Sequence, residues 1–169
     1  MTVSTKLSMS IAVTLTEVID MGERSANVAR KFAATLGSGT AVGMADRVFL
    51  DTRTLGPSAT ESLDLNGSTL FDPFGVAFAI VKVKAIMIAS ADANINDILV
   101  GNAATAWAAL LGATGTVLLR PGASFSAFAG VADAAGYAVA AGATDLLKIL
   151  NNAGTNSVTY DIGIAGCSA

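Results

Sequence analysis

Residues 98–119, ILVGNAATAWAALLGATGTVLL, run without a single charge from Asp97 to Arg120. Such a run constrains the fold more than any other feature, because a helix of about 20 apolar residues spans a bilayer. Its internal signals argue for something else. Gly101, Asn102, Gly112 and Gly115 interrupt it, and its one Trp, Trp107, sits mid-run, away from the interfacial positions where aromatic residues anchor a span. Asn102 is a good N-cap and Gly112 a good C-cap for a short helix, Ala103 to Leu111. On that helix Trp107, Leu110 and Leu111 form one apolar face. The run therefore reads as strand, short helix, strand, with no membrane span.

Elsewhere alternation dominates. Leu7, Met9, Ile11, Val13 and Leu15 share one parity; Ser8, Ser10, Ala12, Thr14 and Thr16 share the other. This is the period-two signature of a half-buried strand. Val158, Tyr160, Ile162 and Ile164 alternate in the same way with Thr159, Asp161, Gly163 and Ala165. Between these ends lie short β-rich stretches closed by turn residues. Arg47 to Leu55 stops at Gly56-Pro57-Ser58, Thr60 to Leu65 stops at Asn66-Gly67, and Asp72-Pro73-Phe74-Gly75 precedes a long stretch from Phe78 to Ala89. Ile98 to Val100, Thr116 to Arg120, Ser124 to Phe128 and Tyr137 to Ala140 follow. Leu146 to Leu150 is too short for a stable helix and reads as one arm of a hairpin into the last strand. Strands spaced about 8–12 residues apart indicate a mainly β fold, an antiparallel β-sandwich of jelly-roll type, with a short helix near 103–111.

The segment 22–46 interrupts this pattern. Ala26 to Leu36 is weakly helical, and Gly37, Gly39 and Gly43 follow. The expected organisation is an N-terminal arm with a Gly-rich flexible linker over residues 1–45, then a β-sandwich domain over 46–169. The first twenty residues lack the continuous apolar core and cleavage site of a signal peptide. Thr16-Glu17-Val18-Ile19-Asp20-Met21-Gly22 echoes Thr60-Glu61-Ser62-Leu63-Asp64-Leu65-Asn66-Gly67, which reads as two similar strand ends entering turns.

Composition narrows the function. Hydrophobic residues make up 53% and charged residues 14%, whereas an ordinary soluble domain has about 25% charge. Ala and Gly supply much of the excess and suit close contact between subunits. No Lys/Arg cluster provides the electrostatic footprint of nucleic-acid binding. Histidine is absent, which removes Ser-His-Asp and Cys-His catalysis and His-ligated zinc. The single cysteine, Cys167, has no partner for an intrachain disulfide and reads as a small buried hydrophobe. The expectation is a non-enzymatic protein without cofactor, metal, nucleic acid or membrane, working through its surface as a homo-oligomer.

Few residues suggest chemistry. Asp92, Asn94 and Asn96 have the 1, 3, 5 spacing of a calcium loop, but positions six and twelve are Asp97 and Ala103 where that loop needs Gly and Glu. An ordinary polar loop is the better reading. Gly37 to Gly43 lacks the P-loop Lys and reads as linker. Asp51 and Arg53 share a parity and could pair with Glu61 across a hairpin. Trp107 is either a core residue or an interface anchor. Leu7, Met9, Ile11 and Val13, with Trp107, are the candidate interface residues.

A scattered pattern carries a resemblance. It comprises Asp51-Thr52-Arg53-Thr54-Leu55, Ser58-Ala59-Thr60-Glu61, Leu63-Asp64-Leu65-Asn66-Gly67, Arg120-Pro121-Gly122, Gly136-Tyr137-Ala138-Val139, Asp145-Leu146-Leu147-Lys148-Ile149 and Val158-Thr159-Tyr160-Asp161-Ile162. Over residues 46–169 the chain resembles small virion structural proteins of tailed bacteriophages. The resemblance implies a jelly-roll-like sandwich and a decoration or cement protein on the capsid exterior. Its implied partners are copies of itself and a major capsid protein. A tail, connector or fibre component is the alternative, and a carboxylate-based glycan hydrolase is a more distant one. The resemblance carries no functional residues, and on this reading the N-terminal strand adds to a neighbour's sheet.

Overall fold

A computed structural model describes residues 2–142 and 144–169 of the chain. The N-terminal alternation continues further than the sequence suggests. β1 (Thr5–Ile19) turns at Asp20-Met21 into β2 (Gly22–Ser38), and the two pair antiparallel along their whole shared length, from Thr5 opposite Leu36 to Ile19 opposite Gly22. The expected helical stretch at Ala26–Leu36 is therefore strand. Its modest helical propensity is overridden because fifteen residues of β1 offer it a continuous hydrogen-bonding edge. Gly22, at φ 141°, takes the chain out of the turn, a backbone conformation that favours glycine. The Gly-rich stretch is a bonded loop rather than a free linker. Gly37 donates its N–H to the Gly43 carbonyl and Gly39 to the Ala45 carbonyl, while β3 (Met44–Ala45) pairs parallel with Gly37 and Ser38.

The remaining strands form two sheets. β4 (Arg47–Leu55), β6 (Lys82–Ser90), β9 (Ser124–Phe128), β10 (Tyr137–Ala138) and β12 (Val158–Cys167) make one, in the order β10-β6-β12-β4 with β9 also on β6. β5 (Thr60–Asp64), β7 (Ile98–Gly101), β8 (Thr116–Leu119) and β11 (Leu146–Asn151) make the other, in the order β5-β11-β7-β8. All pairings within these two sheets are antiparallel. Ile86, Ile88, Ile162 and Ile164 from the first sheet share one core with Leu63, Ile98, Val100, Leu147 and Ile149 from the second. Burying side chains such as these contributes roughly 1.5–3 kcal/mol each. The architecture is thus β-rich and built of antiparallel sheets.

The helix α1 spans only Ala108–Leu111, and Trp107 just before it makes no side-chain cap. Asn102 is not an N-cap; it lies at φ 56°, just after Gly101 at φ 111°. The backbone of 105–107 is diverted by long-range bonds instead: Leu146 donates to the Thr105 carbonyl and Trp107 to the Leu146 carbonyl. Gly112, at φ 76°, does stop the helix. The charge-free run is accordingly β7, α1 and β8, and among the described residues no helix is long and apolar enough to cross a membrane.

Neither expected hairpin around β5 and β11 forms. β4 and β5 lie in different sheets, as do β11 and β12, so the intervening turns carry the chain between layers. β6 starts at Lys82 rather than Phe78. A bulge where β6 meets Ala165 and Gly166 leaves Lys84 unpaired against β12 and breaks the parity that Lys82 and Lys84 share in sequence. Lys84 is buried, and its amine donates to the Asp133 carbonyl at 2.6 Å.

Candidate functional site: the hairpin and the cleft at its base

The hairpin of β1 and β2 stands out from the two sheets, held only at its root. Leu36 and the half-buried Leu7 pack there against Ala45, Ala85, Ala165 and Phe128. At about 3.4 Å per residue, the fifteen residues of β1 reach about 50 Å. A two-stranded ribbon has two faces, and the register sorts them. One face carries the pairs Met9/Phe32, Ile11/Arg30, Val13/Val28, Leu15/Ala26, Glu17/Arg24 and Ile19/Gly22. The other carries Ser8/Ala33, Ser10/Lys31, Ala12/Ala29, Thr14/Asn27, Thr16/Ser25 and, next to the turn, Val18/Glu23. The first face is apolar yet open: Ile11 is 64% exposed, Leu15 61% and Phe32 58%. This face is the most extended apolar surface the hairpin leaves open.

Within the first face the charges are few. Arg24 pairs with Glu17 at 2.5 Å across the strands. Arg30 makes only a long contact, 3.4 Å, to the carbonyl of Ala29 and has no acidic partner among the described residues. The hairpin carries four cations, Lys6, Arg24, Arg30 and Lys31, against Glu17, Asp20 and Glu23, whereas the remainder of the chain has ten acids against six bases. The arm is therefore weakly cationic on an acidic body.

At its root the apolar face overhangs the outer surface of the first sheet and encloses a cleft of ≈ 300 Å³. Leu7 and Met9 line one wall; Leu50, Met87 and Gly163 line the other. Gly163 pairs with Leu50 on one side and Met87 on the other, so its missing side chain leaves a furrow between two exposed apolar ones.

The structure places the candidate interface residues unequally. Leu7, Met9, Ile11 and Val13 lie together on the arm, with Leu7 committed to the root. Trp107 does not join them. It is buried in the core, donates its indole N–H to the Ala138 carbonyl at 2.8 Å and meets Tyr137 edge-on, so it offers a partner no surface. Phe32, Val28 and Arg30 are the arm residues that sequence reasoning missed. Their alternation from Ala26 to Ala34 was the available signal, hidden by Ala on both parities.

Polar clusters elsewhere act within the fold. Arg53 bonds Asp51 and Glu61, each at 2.7 Å, and Glu61 also accepts the hydroxyl of the buried Tyr160. Because β5 and β4 lie in different sheets, this cluster ties the layers together rather than closing a hairpin. Burial, followed by the bond to Glu61, pushes the Tyr160 phenol well above its ordinary pKa. Asn94 accepts the Thr159 N–H at 2.8 Å and donates to the Thr159 carbonyl at 2.7 Å. Asn96 donates to Asn151 and to the Asn156 carbonyl. The Asp92–Asp97 loop thus directs its amides into the fold. Cys167 is buried, which raises its thiol pKa.

No family model matches the chain, and no curated protein or solved structure matches it.

Proposed function

We propose that this chain is a structural assembly protein, and that the hairpin is its contact element. One observation carries the reading: a hairpin about 50 Å long leaves one apolar face unpartnered along most of its length. An isolated two-stranded hairpin is marginal in water, so such an element is stabilised when a partner covers it. The finer assignment is to the exterior of a tailed-phage head, as a decoration or cement protein contacting the major capsid protein. It draws on the resemblance over residues 46–169. The transfer of successive strands between two sheets around one core supports a jelly-roll-like sandwich. Repeated weak contacts over a shell would add up by multivalency. A tail, connector or fibre component would have the same composition at low copy number.

The test is a shortened arm, with residues 10–31 replaced by Asn-Gly, which favours the tight turn needed after Met9 and before Phe32. Expected is a body that unfolds as the full chain does but no longer co-sediments with purified particles. Unchanged occupancy of particles by the shortened chain would refute the role of the arm, and absence of the full chain from particles would refute the virion assignment. Copy number per particle separates head from tail.

A further inference from the structure

We infer that the partner of the hairpin is the hairpin of a second copy, the two apolar faces packing antiparallel about a two-fold axis that passes between the Val13 and Leu15 rows. The inference rests on the assembly reading above and names its first partner.

Self-complementarity carries it. The rows of the apolar face follow one another as Met9/Phe32, Ile11/Arg30, Val13/Val28, Leu15/Ala26, Glu17/Arg24 and Ile19/Gly22. A two-fold between the third and fourth rows sets Val13/Val28 on Leu15/Ala26 of the second copy. It sets Ile11/Arg30 on Glu17/Arg24, and Met9/Phe32 on Ile19/Gly22. Such an axis lays each strand over its own counterpart, so Arg30 stacks over Arg24 of the other copy, about 5 Å, one strand spacing, to the side of Glu17. An arginine side chain covers that offset. Within its own hairpin Glu17 spends only Oε2, on both Nε and Nη2 of Arg24, and its Oε1 accepts no hydrogen bond among the described residues. Arg30, which has no acid beside it among the described residues of its own chain, supplies that oxygen with a donor, and the two arginines share one carboxylate. The contact occurs twice by symmetry. Sliding the register by one row in either direction sets Arg30 over Leu15/Ala26 or over Ile19/Gly22, where the guanidinium would be desolvated with no acid in the facing row.

The cleft is accounted for by the same register. If the Ile19 row covers the Met9 row, the turn of the second copy reaches the root of the first hairpin. Met21, at that turn, is 96% exposed, and the root is where Met9, Leu50 and Met87 line the ≈ 300 Å³ cleft. Three rows lie on each side of the axis, from Val13 back to Met9 and from Leu15 on to Ile19, so each tip ends at the other copy's cleft. The area also suffices. From their exposures, Met9, Ile11, Val13, Leu15, Val28 and Phe32 together present on the order of 600 Å² of surface per copy, before the tip and cleft are added, against about 800 Å² per partner in a standard interface. Such a contact is isologous and closes as a dimer.

Charge reversal in trans tests the register. Light scattering and sedimentation are measured on the full chain, on Glu17→Arg and on Arg30→Glu. A fluorescently labelled Glu17→Arg chain is then mixed with an excess of either the full chain or Arg30→Glu. The full chain should be a dimer at micromolar concentration. Glu17→Arg should dimerise about a hundredfold more weakly, because it gathers three arginines without an acid at both contacts. Arg30→Glu should recruit the labelled chain into a heterodimer about tenfold or more better than the full chain does. In that heterodimer the introduced glutamate meets Arg24 and the introduced arginine at one contact, and the native cluster remains at the other. A monomeric wild type overturns the inference. So does a dimer indifferent to Glu17→Arg, the result expected of edge-to-edge strand pairing, and so does a labelled chain recruited no better by Arg30→Glu than by the full chain. The particle assay distinguishes the two readings: a monomer that still occupies particles through its arm refutes the pairing alone, and a dimer that binds no particle refutes the virion assignment alone.

Discussion

Replacing Glu61 with Ala is the most informative single perturbation of the body. Glu61 receives the Arg53 Nε–H at 2.7 Å and the Tyr160 hydroxyl, joining β5 of one sheet to β4 and β12 of the other. The two losses differ in kind. Arg53 retains Asp51 at 2.7 Å and its side chain is 32% exposed, so losing one ion pair there costs about 0.5–1 kcal/mol. Tyr160 is 0% exposed, and its hydroxyl is left buried without an acceptor, at about 1–3 kcal/mol. Glu61→Ala should therefore destabilise by about 1.5–4 kcal/mol. Tyr160→Phe removes the hydroxyl itself and leaves Glu61 with Arg53, so it should cost only about 1 kcal/mol. The double variant should cost no more than Glu61→Ala alone, because the hydroxyl is no longer there to be stranded, giving a coupling of at least about 1 kcal/mol. The assay is urea unfolding followed by fluorescence of Trp107, the only Trp in the chain. A Glu61→Ala cost below about 0.5 kcal/mol would show that Glu61 does not hold the Tyr160 hydroxyl across the layers, as would strictly additive single effects.

Two further outcomes follow from the core. The Tyr160 phenol is held above its ordinary pKa by burial and by Glu61, so the folded chain keeps a proton that the unfolded chain releases above about pH 10. Its contribution is whole below that pH and is lost as pH rises, with a slope approaching about 1.4 kcal/mol per pH unit that the Tyr160→Phe variant should lack. Trp107→Ala removes a buried side chain that fills space beside Tyr137 and bonds the Ala138 carbonyl. It should cost about 3–5 kcal/mol without altering dimerisation, measured by chemical unfolding followed by circular dichroism and by sedimentation.

How far the sequence alone reached is clear from particular elements. β4 from Arg47 to Leu55 and β9 from Ser124 to Phe128 have the boundaries that their turn residues announce. β12 begins at Val158, as its alternation indicates. Period-two patterning and Gly, Pro and Asn at turns are local physics, and local physics is written in the chain. Pairing is not. Nothing local told β2 that β1 would supply its hydrogen bonds, or told β4 and β5 that the Gly56-Pro57-Ser58 turn carries the chain across layers instead of closing a hairpin. Residues 103–107 have the composition of a helix after an Asn suited to capping one, yet Thr105 and Trp107 exchange backbone bonds with Leu146, some forty positions away. The arm divides in the same way. Its alternating parity was legible at Leu7, Met9, Ile11 and Val13. That this parity faces outward, unfilled and joined by Val28, Arg30 and Phe32, was decided by the tertiary structure, because exposure depends on what else is present to cover a face.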